Sequence, residues 1–553
     1  MRSIRKNIQP SIDLIQPNVA LAPQPARASN LENLESPLLS WFGIRSSVGI
    51  LAILLICSLP LFFLRGFGVF DDSLFLKFGE LIASGGIPYR DFFDNKPPGT
   101  YLIGAGIAWL GQGHWLAPRF FLVVFALFYG WGIIRFCRSV YREQVAYYAT
   151  IFFLPSYVIA QGYSFHTDQL AAIWGLAAAW ALLRLRSTPV KFLVAGISVG
   201  VSFWFKQVAV LYLVANLVWV ALQAGREGLS IRKWLVTFLH RSGWMVLGFL
   251  IPLAVMAIGL KLFQAGPAAL DAIFREGFLA AKSPLNLTNT LTFWRRFPAA
   301  IMAILGLGWL AFRLKFSPWL NWLLSPTVSL LGLNAIFAAI PTLRMTHDGG
   351  HLAQTSLWAL AALTGVILDR AIGGWDKDRS GKLKAWGTVL GYLGFFSYLG
   401  AMLYTGAYFL QQRRLILDLD QMNEIRSDLA HFIPAQEPIL CISESAARLY
   451  YMSGHPAASR FLFFWWPERF NLSDALALLK THQVAAALVE FPKGRPISFA
   501  EKEMKVSDLA VFESSYRSIP LRTAFHPIQN TTLYLLIRRD YTQRATAEEN
   551  SRR

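Results

Sequence analysis

Two acids stand side by side at Asp71 and Asp72, directly after the first strongly apolar run, in the stretch FDDSLFLKFGELIASGGIPYRDFFDNKPPGTYL (Phe70 to Leu102). A carboxylate at a water–lipid boundary, partly desolvated and beside a second acid, has its pKa raised towards that of a useful general base. The same stretch carries Lys96 before a double proline. Cations so placed neutralise charge that develops on phosphoryl oxygens. A base beside such cations can deprotonate a hydroxyl while a phosphate leaves. Each residue also has a plainer use: solvated interface for the acid pair, snorkelling to headgroups for Lys96, and a helix cap for Asp168 with Thr167.

The elements that must carry these residues follow from composition. The chain has 553 residues, 54% of them hydrophobic and only 15% charged, with a mean hydropathy of +0.41. A soluble domain needs about 25% charge to cover its surface. Apolar runs long enough to cross a hydrocarbon core of about 30 Å recur from position 46 to 409. The fold class is therefore a polytopic α-helical membrane protein of about eleven spans; a barrel would show alternating stretches of about ten residues instead. The spans are expected at 46–64, 118–137, 145–160, 169–185, 190–205, 208–223, 243–263, 298–312, 319–340, 352–368 and 385–408.

A net charge of +19 invites a nucleic-acid partner, but the basic residues sit between spans, as in Arg135, Arg138 and Arg142, or Arg226, Arg232, Lys233 and Arg241. That distribution is what the positive-inside rule produces, so the excess is topology and no nucleic acid is implied. Residues 1–45 read as a cytoplasmic tail and 46–409 as the transmembrane domain, whose first external loop is 65–117. Residues 410–553 alternate short β-rich runs such as PILCIS with helical patterns such as DLDQMNEIRSDLAHF, which predicts an extracytoplasmic α/β domain. Three cysteines, two of them in apolar runs, imply no disulfide framework.

Sorted by side, Asp71, Asp72, Lys96, Arg119, His166, Asp168, Lys206, Arg295, Arg296, Arg344, His347, Asp348 and His351 all fall at external ends of spans or in external loops. The span interiors carry almost no charge, which speaks against a proton or ion pathway. The pattern suggests a reaction centre at the outer membrane surface, fed from the lipid.

The first loop resembles that of the GT-C glycosyltransferases that use polyprenyl-phosphate sugars (glycosyltransferase family 39-like). These include the dolichyl-phosphate-mannose protein mannosyltransferases and the aminoarabinose transferases of lipid A. The resemblance rests on Asp71-Asp72, then ASGGIPYRDFF, NKPPG, TYLIGAGIAWLG and WLAPRF with Arg119. It extends to Thr167-Asp168 and to Lys206 in GISVGVSFWFKQ, and covers roughly residues 46–370. The first acid is usually followed by Glu, so Asp72 departs from the pattern. The resemblance implies an inverting membrane glycosyltransferase, with a polyprenyl-phosphate-sugar donor and a lipid, glycan or protein acceptor. Asp71 would be the base, with Asp72 or Asp168 orienting the acceptor. Lys96, Arg119, Lys206, Arg295 and Arg296 would hold the donor phosphate. Tyr89, Arg90, His166, Arg344, His347 and His351 would line the cavity or touch the acceptor. The site would face outward from the plasma (inner) membrane of a prokaryote.

No metal set is indicated. His347 and His351 lie four apart in THDGGHLAQ, but the two glycines between them oppose a preformed helical ligand pair. A divalent cation is compatible with the site without being called for. A transporter or flippase of polyprenyl-linked lipids is the rival from another class; it calls for inverted repeats and mid-membrane charge pairs, which the sequence lacks.

Overall fold

Leu, Ile, Phe and Ala dominate the apolar runs, and in hydrocarbon such runs satisfy their backbone groups as helices. The structure, a computed structural model, describes residues 47–64, 70–276, 287–313, 316–344, 350–373, 399–400, 402–403, 407, 410–411, 414–443, 446–462, 472–492, 497–499, 502–525 and 531–541. The chain divides into two units, Met1–Arg45 and Ser46–Arg553, and the second holds every residue discussed below. The expected tail at 1–45 and most of the expected last span at 385–408 lie outside the described residues.

The helices are α1 (Ser47–Leu64), α2 (Phe70–Ala83), α3 (Gly99–Gly111), α4 (Leu116–Val140), α5 (Glu143–Ile159), α6 (Thr167–Arg184), α7 (Thr188–Phe203) and α8 (Val210–Arg226). They continue with α9 (Ile231–Leu262), the short α10 (Gly266–Leu270), α11 (Leu287–Trp294), α12 (Pro298–Arg313), α13 (Phe316–Leu323), α14 (Pro326–Ala339) and α15 (Gln354–Gly373). Six stretches among the described residues are long and apolar enough to cross a membrane: Ser47–Leu64, Leu116–Val140, Gln207–Arg226, Ile231–Leu262, Pro326–Leu343 and His351–Arg370. The protein is a polytopic helical membrane protein. The run expected as one span at 319–340 is two helices. Ser325 takes an extended ψ of 149° and Pro326 opens α14, since proline cannot continue a preceding helix.

Outward stripes are apolar: Phe120, Val124, Leu127, Phe128 and Trp131 on α4 are exposed at helical spacing, a surface for lipid tails. Inward contacts are small or hydrogen-bonded. Ser202 Oγ donates to the Ala171 carbonyl at 2.7 Å, and the Asn334 amide donates to Asn216 Oδ1 at 3.0 Å. At one end of the bundle, Arg142 meets Asp369 at 2.6 Å and Arg138 is paired with Glu143. At the other end lie the first-loop helices α2 and α3. They cross where neither has a side chain: a Cβ on Gly79 would stand 2.3 Å from the Gly104 carbonyl carbon. The start of α3 is pinned to the end of α7 by Gly99 N–H donating to the Trp204 carbonyl at 2.8 Å.

The C-terminal part is an α/β layer. Helices α16 (Arg414–Phe432), α17 (Ala446–Ser453) and α18 (Leu472–Lys480) accompany strands β1 (Ile439–Ile442), β2 (Ala486–Pro492), β3 (Ile497–Phe499), β4 (Lys502–Met504), β5 (Tyr516–Phe525) and β6 (Thr531–Arg538). One sheet runs β1-β2-β6-β5, with β1 parallel to β2 and the other pairs antiparallel; β3 and β4 form a separate pair. This layer docks on the first loop: α17 packs on α2. The Phe93 N–H donates to the Arg460 carbonyl at 2.8 Å, and the Phe93 and Phe461 rings lie 5.3 Å apart.

Candidate active site

Asp71 and Asp72 occupy the first turn of α2, where the helix dipole favours acids. Successive residues on a helix point about 100° apart, so the two carboxylates face different neighbours. Asp71 Oδ2 lies 3.6 Å from His166 Nδ1 and 4.0 Å from His351 Nε2. Asp72 is buried, accepts the Phe165 backbone N–H, and lines with Arg119 a cavity of about 10 Å³, room for a single water.

His166 is the residue preceding the first turn of α6, fully buried, and its ring stacks on that of His351 at 4.6 Å and 15°. Asp168, in that first turn, does not cap the helix; both its oxygens accept from Lys206 Nζ. Lys206 stands just past α7, so α6 and α7 are tied together at the same end of the bundle. His351 arrives from the turn preceding α15, and this turn is held to the end of α5 by Gln354 donating to the Ala160 carbonyl at 2.7 Å.

Lys96 lies 3.6 Å from Asp94 and 5.4 Å from the Phe75 ring centre. Burial would lower its pKa, but Asp94, Asp71 and Asp168 outweigh burial and hold the ammonium above its ordinary value. For Asp71 the balance runs opposite to the sequence expectation. Burial alone would raise the carboxyl, yet His166, Lys96 and His351 together hold it below the usual carboxylate range. Asp71 is thus held as a carboxylate, because folding brings the Lys96 ammonium and two imidazoles beside it and these outweigh burial.

The loop that carries Lys96 is built on Asp94 and Gln207, neither of which the sequence marks for a role, and on Tyr89. Asp94 is buried and accepts the Tyr101 hydroxyl at 2.7 Å. Gln207 donates to the carbonyls of Asn95 and Ile273. Tyr89 has a positive φ of 66° and donates its hydroxyl to the Lys96 carbonyl at 2.6 Å. It fixes the lysine's backbone from a buried position. Arg90 is turned to solvent and pairs with Asp91 at 2.7 Å. Arg295 and Arg296 are exposed just after α11. Arg344 closes the turn Ile340–Arg344, but its side chain, like His347, lies outside the described residues. Among the described residues, Asp71, His166 and His351 each offer one ligand atom, all within 4.8 Å of one another, and could hold a metal ion.

This end of the bundle therefore gathers Lys96 and Lys206, Arg119, the four carboxylates of Asp71, Asp72, Asp94 and Asp168, and two imidazoles around the head of α2. The chain is similar to solved structures in which such a bundle is known. ArnT from Cupriavidus metallidurans, bound to undecaprenyl phosphate, superposes with a TM-score of 0.57 at 14% identity, over 90% of this chain and 98% of that one. The oligosaccharyltransferase of Archaeoglobus fulgidus matches with a TM-score of 0.51 at 11% identity, over 82% of this chain and 70% of its own. The same archaeal protein, AglB, in complex with an inhibitory peptide and a dolichol-phosphate, also matches with a TM-score of 0.51, at 10% identity. The fold is that of the GT-C glycosyltransferases. No protein-family model matches the chain, and no curated protein matches it by sequence.

Proposed function

We propose that the protein is an inverting membrane glycosyltransferase that moves a sugar from a polyprenyl phosphate to a lipid, glycan or protein acceptor at the external membrane face. The observation that carries the reading is the convergence of ionised Asp71 with Lys96 on a GT-C bundle, beside the Asp168–Lys206 pair. ArnT and AglB, which share the fold, are solved with undecaprenyl phosphate and dolichol-phosphate respectively.

In the proposed step the acceptor oxygen bonds to the anomeric carbon as the carbon–oxygen bond to the lipid phosphate breaks, giving a glycoside and free polyprenyl phosphate. Asp71 orients the acceptor hydroxyl and takes its proton as the new bond forms. A weak base suffices when charge at the anomeric carbon develops early, because the bound hydroxyl then grows more acidic. Lys96, Arg119 and Lys206 stabilise the departing phosphate. The N-terminus lies in the cytoplasm, and the site and the C-terminal layer lie outside the inner membrane.

A label-fate experiment separates this from the flippase reading. Membranes holding the protein are given radiolabelled polyprenyl-phosphate hexoses with host lipid and protein extract. Label in a new covalent product with the anomeric configuration inverted supports transfer. Label that only changes leaflet, with no product, refutes it.

A further inference from the structure

We propose that the basic end of the bundle carries a site for an anionic phospholipid, whose phosphodiester is held by Lys191, Arg241 and Gln223. The site lies at the opposite end from Asp71, and it does not rest on the transferase reading above.

A cavity of about 280 Å³ lies where α6, α7, α8, α9 and α14 meet. A water takes up about 30 Å³ in the liquid, so the space is far larger than one bridging water needs. Four of the five helices line it from their ends. Leu182 and Leu183 come from the last turn of α6, and Lys191 from the first turn of α7. Gln223 belongs to the last turn of α8, Glu227 stands just past it, and Pro326 opens α14. Arg241 stands on α9, whose 32 residues measure about 48 Å against a hydrocarbon core of about 30 Å. Arg232, Lys233 and Arg241 mark the end of α9 that projects. The cavity therefore sits at the depth of phospholipid headgroups.

The charges lining it do not cancel. Arg241 is paired with Glu227 at 2.6 Å. Lys191 makes no ion pair among the described residues, and its ammonium lies 5.0 Å from the Phe192 ring centre. One positive charge is left over, which matches the single negative charge of a phosphodiester. The second observation is Gln223, whose Nε2 is buried and has no hydrogen-bond partner among the described residues. A buried donor left so is costly unless something satisfies it. A phosphate oxygen facing Lys191 would accept from it.

The rest of the lining is apolar, and Trp219 spends its indole N–H on the Pro326 carbonyl at 2.7 Å. Val190 and Leu222, which adjoin Lys191 and Gln223 in the chain, are exposed, a surface for acyl chains. A basic pocket between membrane helices at their positive end is an arrangement that takes anionic headgroups. Free phosphate offers the same oxygens without chains to bury, so the apolar surround favours the lipid.

The test uses the full chain delipidated in dodecyl maltoside, to which dioleoyl phosphatidylglycerol, dioleoyl phosphatidylcholine or inorganic phosphate is added. Native mass spectrometry counts bound lipid, and melting reports stabilisation. The expected result is one phosphatidylglycerol per chain and a higher melting temperature, with the zwitterionic lipid retained far less. Lys191→Gln and Gln223→Leu are each expected to weaken phosphatidylglycerol binding roughly fivefold or more. The exposed control Lys233→Gln is expected to leave it unchanged. Melting of each delipidated variant is compared with delipidated wild type, so that misfolding is not read as ligand loss. Equal binding of the two lipids, or binding untouched by both variants, overturns the inference. Stabilisation by inorganic phosphate equal to that by phosphatidylglycerol overturns the assignment to a lipid.

Discussion

Asp168 is a carboxylate with 1% side-chain exposure whose two oxygens are held by Lys206. Removing one partner of such a buried pair strands the other's charge, at a cost of about 3–5 kcal/mol. Lys206→Met is therefore expected to lower the melting temperature in detergent and to depress transfer. The double variant Lys206→Met with Asp168→Asn is expected to recover melting without recovering transfer. Unchanged melting in the single variant would refute the coupling. At this scale the sequence was informative where chemistry is local. Asp71, Asp72, Lys96 and Arg119 stood out as candidates because an acid pair, a Lys-Pro-Pro and a span-opening arginine are short strings. The stacking of His166 on His351 was not, since no spacing rule links residues brought together only by the packing of α6 and α15. Tyr89, expected to line the cavity or touch the acceptor, is buried and donates its hydroxyl to the Lys96 carbonyl from a left-handed turn, a contact that no local spacing encodes.

Helices α2 and α3 set the position of that loop, and their crossing leaves no room for a methyl group. Gly79→Ala would drive a Cβ to 2.3 Å from Gly104 backbone, and relieving such overpacking costs about 1–3 kcal/mol. Lower melting and reduced transfer are expected together, whereas Gly106→Ala, whose Cβ would meet open space, is expected to leave both unchanged. On the docking layer, burial first, then Lys77 and Arg426, hold the His455 imidazole below its ordinary pKa despite the Glu437 carbonyl. A histidine with a depressed folded pKa stabilises above its unfolded value of about 6.5, and that stability is lost as pH falls through the folded value. Melting is expected to decline below about pH 6.5, and less steeply in His455→Gln; parallel pH profiles would contradict this. The helices were readable from apolar runs, and the α/β alternation after residue 410 from period changes. The break at Ser325–Pro326 was hidden by the continuous hydrophobicity around it, and docking on α2 depends on tertiary fit that local patterns do not encode.

Across the whole molecule, basic ends and site ends separate along the bundle. Arg138, Arg142, Arg226 and Arg241 bond at one end, while Asp71, Lys96, His166 and Lys206 gather at the other. The proposed orientation follows from that separation and the positive-inside rule. A cysteine at Arg90 is expected to react with an impermeant thiol reagent in intact cells, and one at Glu227 only after permeabilisation; the reverse pattern would invert the topology. The proposed orientation rests on the basic clusters in the sequence, because topology is set by charge distribution rather than by contacts. The most direct test of the central claim compares wild type with Asp71→Asn in membranes supplied with labelled polyprenyl-phosphate hexoses and acceptor extract. Wild type is expected to transfer label, and the variant to lose roughly 100-fold or more of that rate while still binding donor. Equal transfer by both proteins would contradict the assignment of Asp71 as the residue that activates the acceptor.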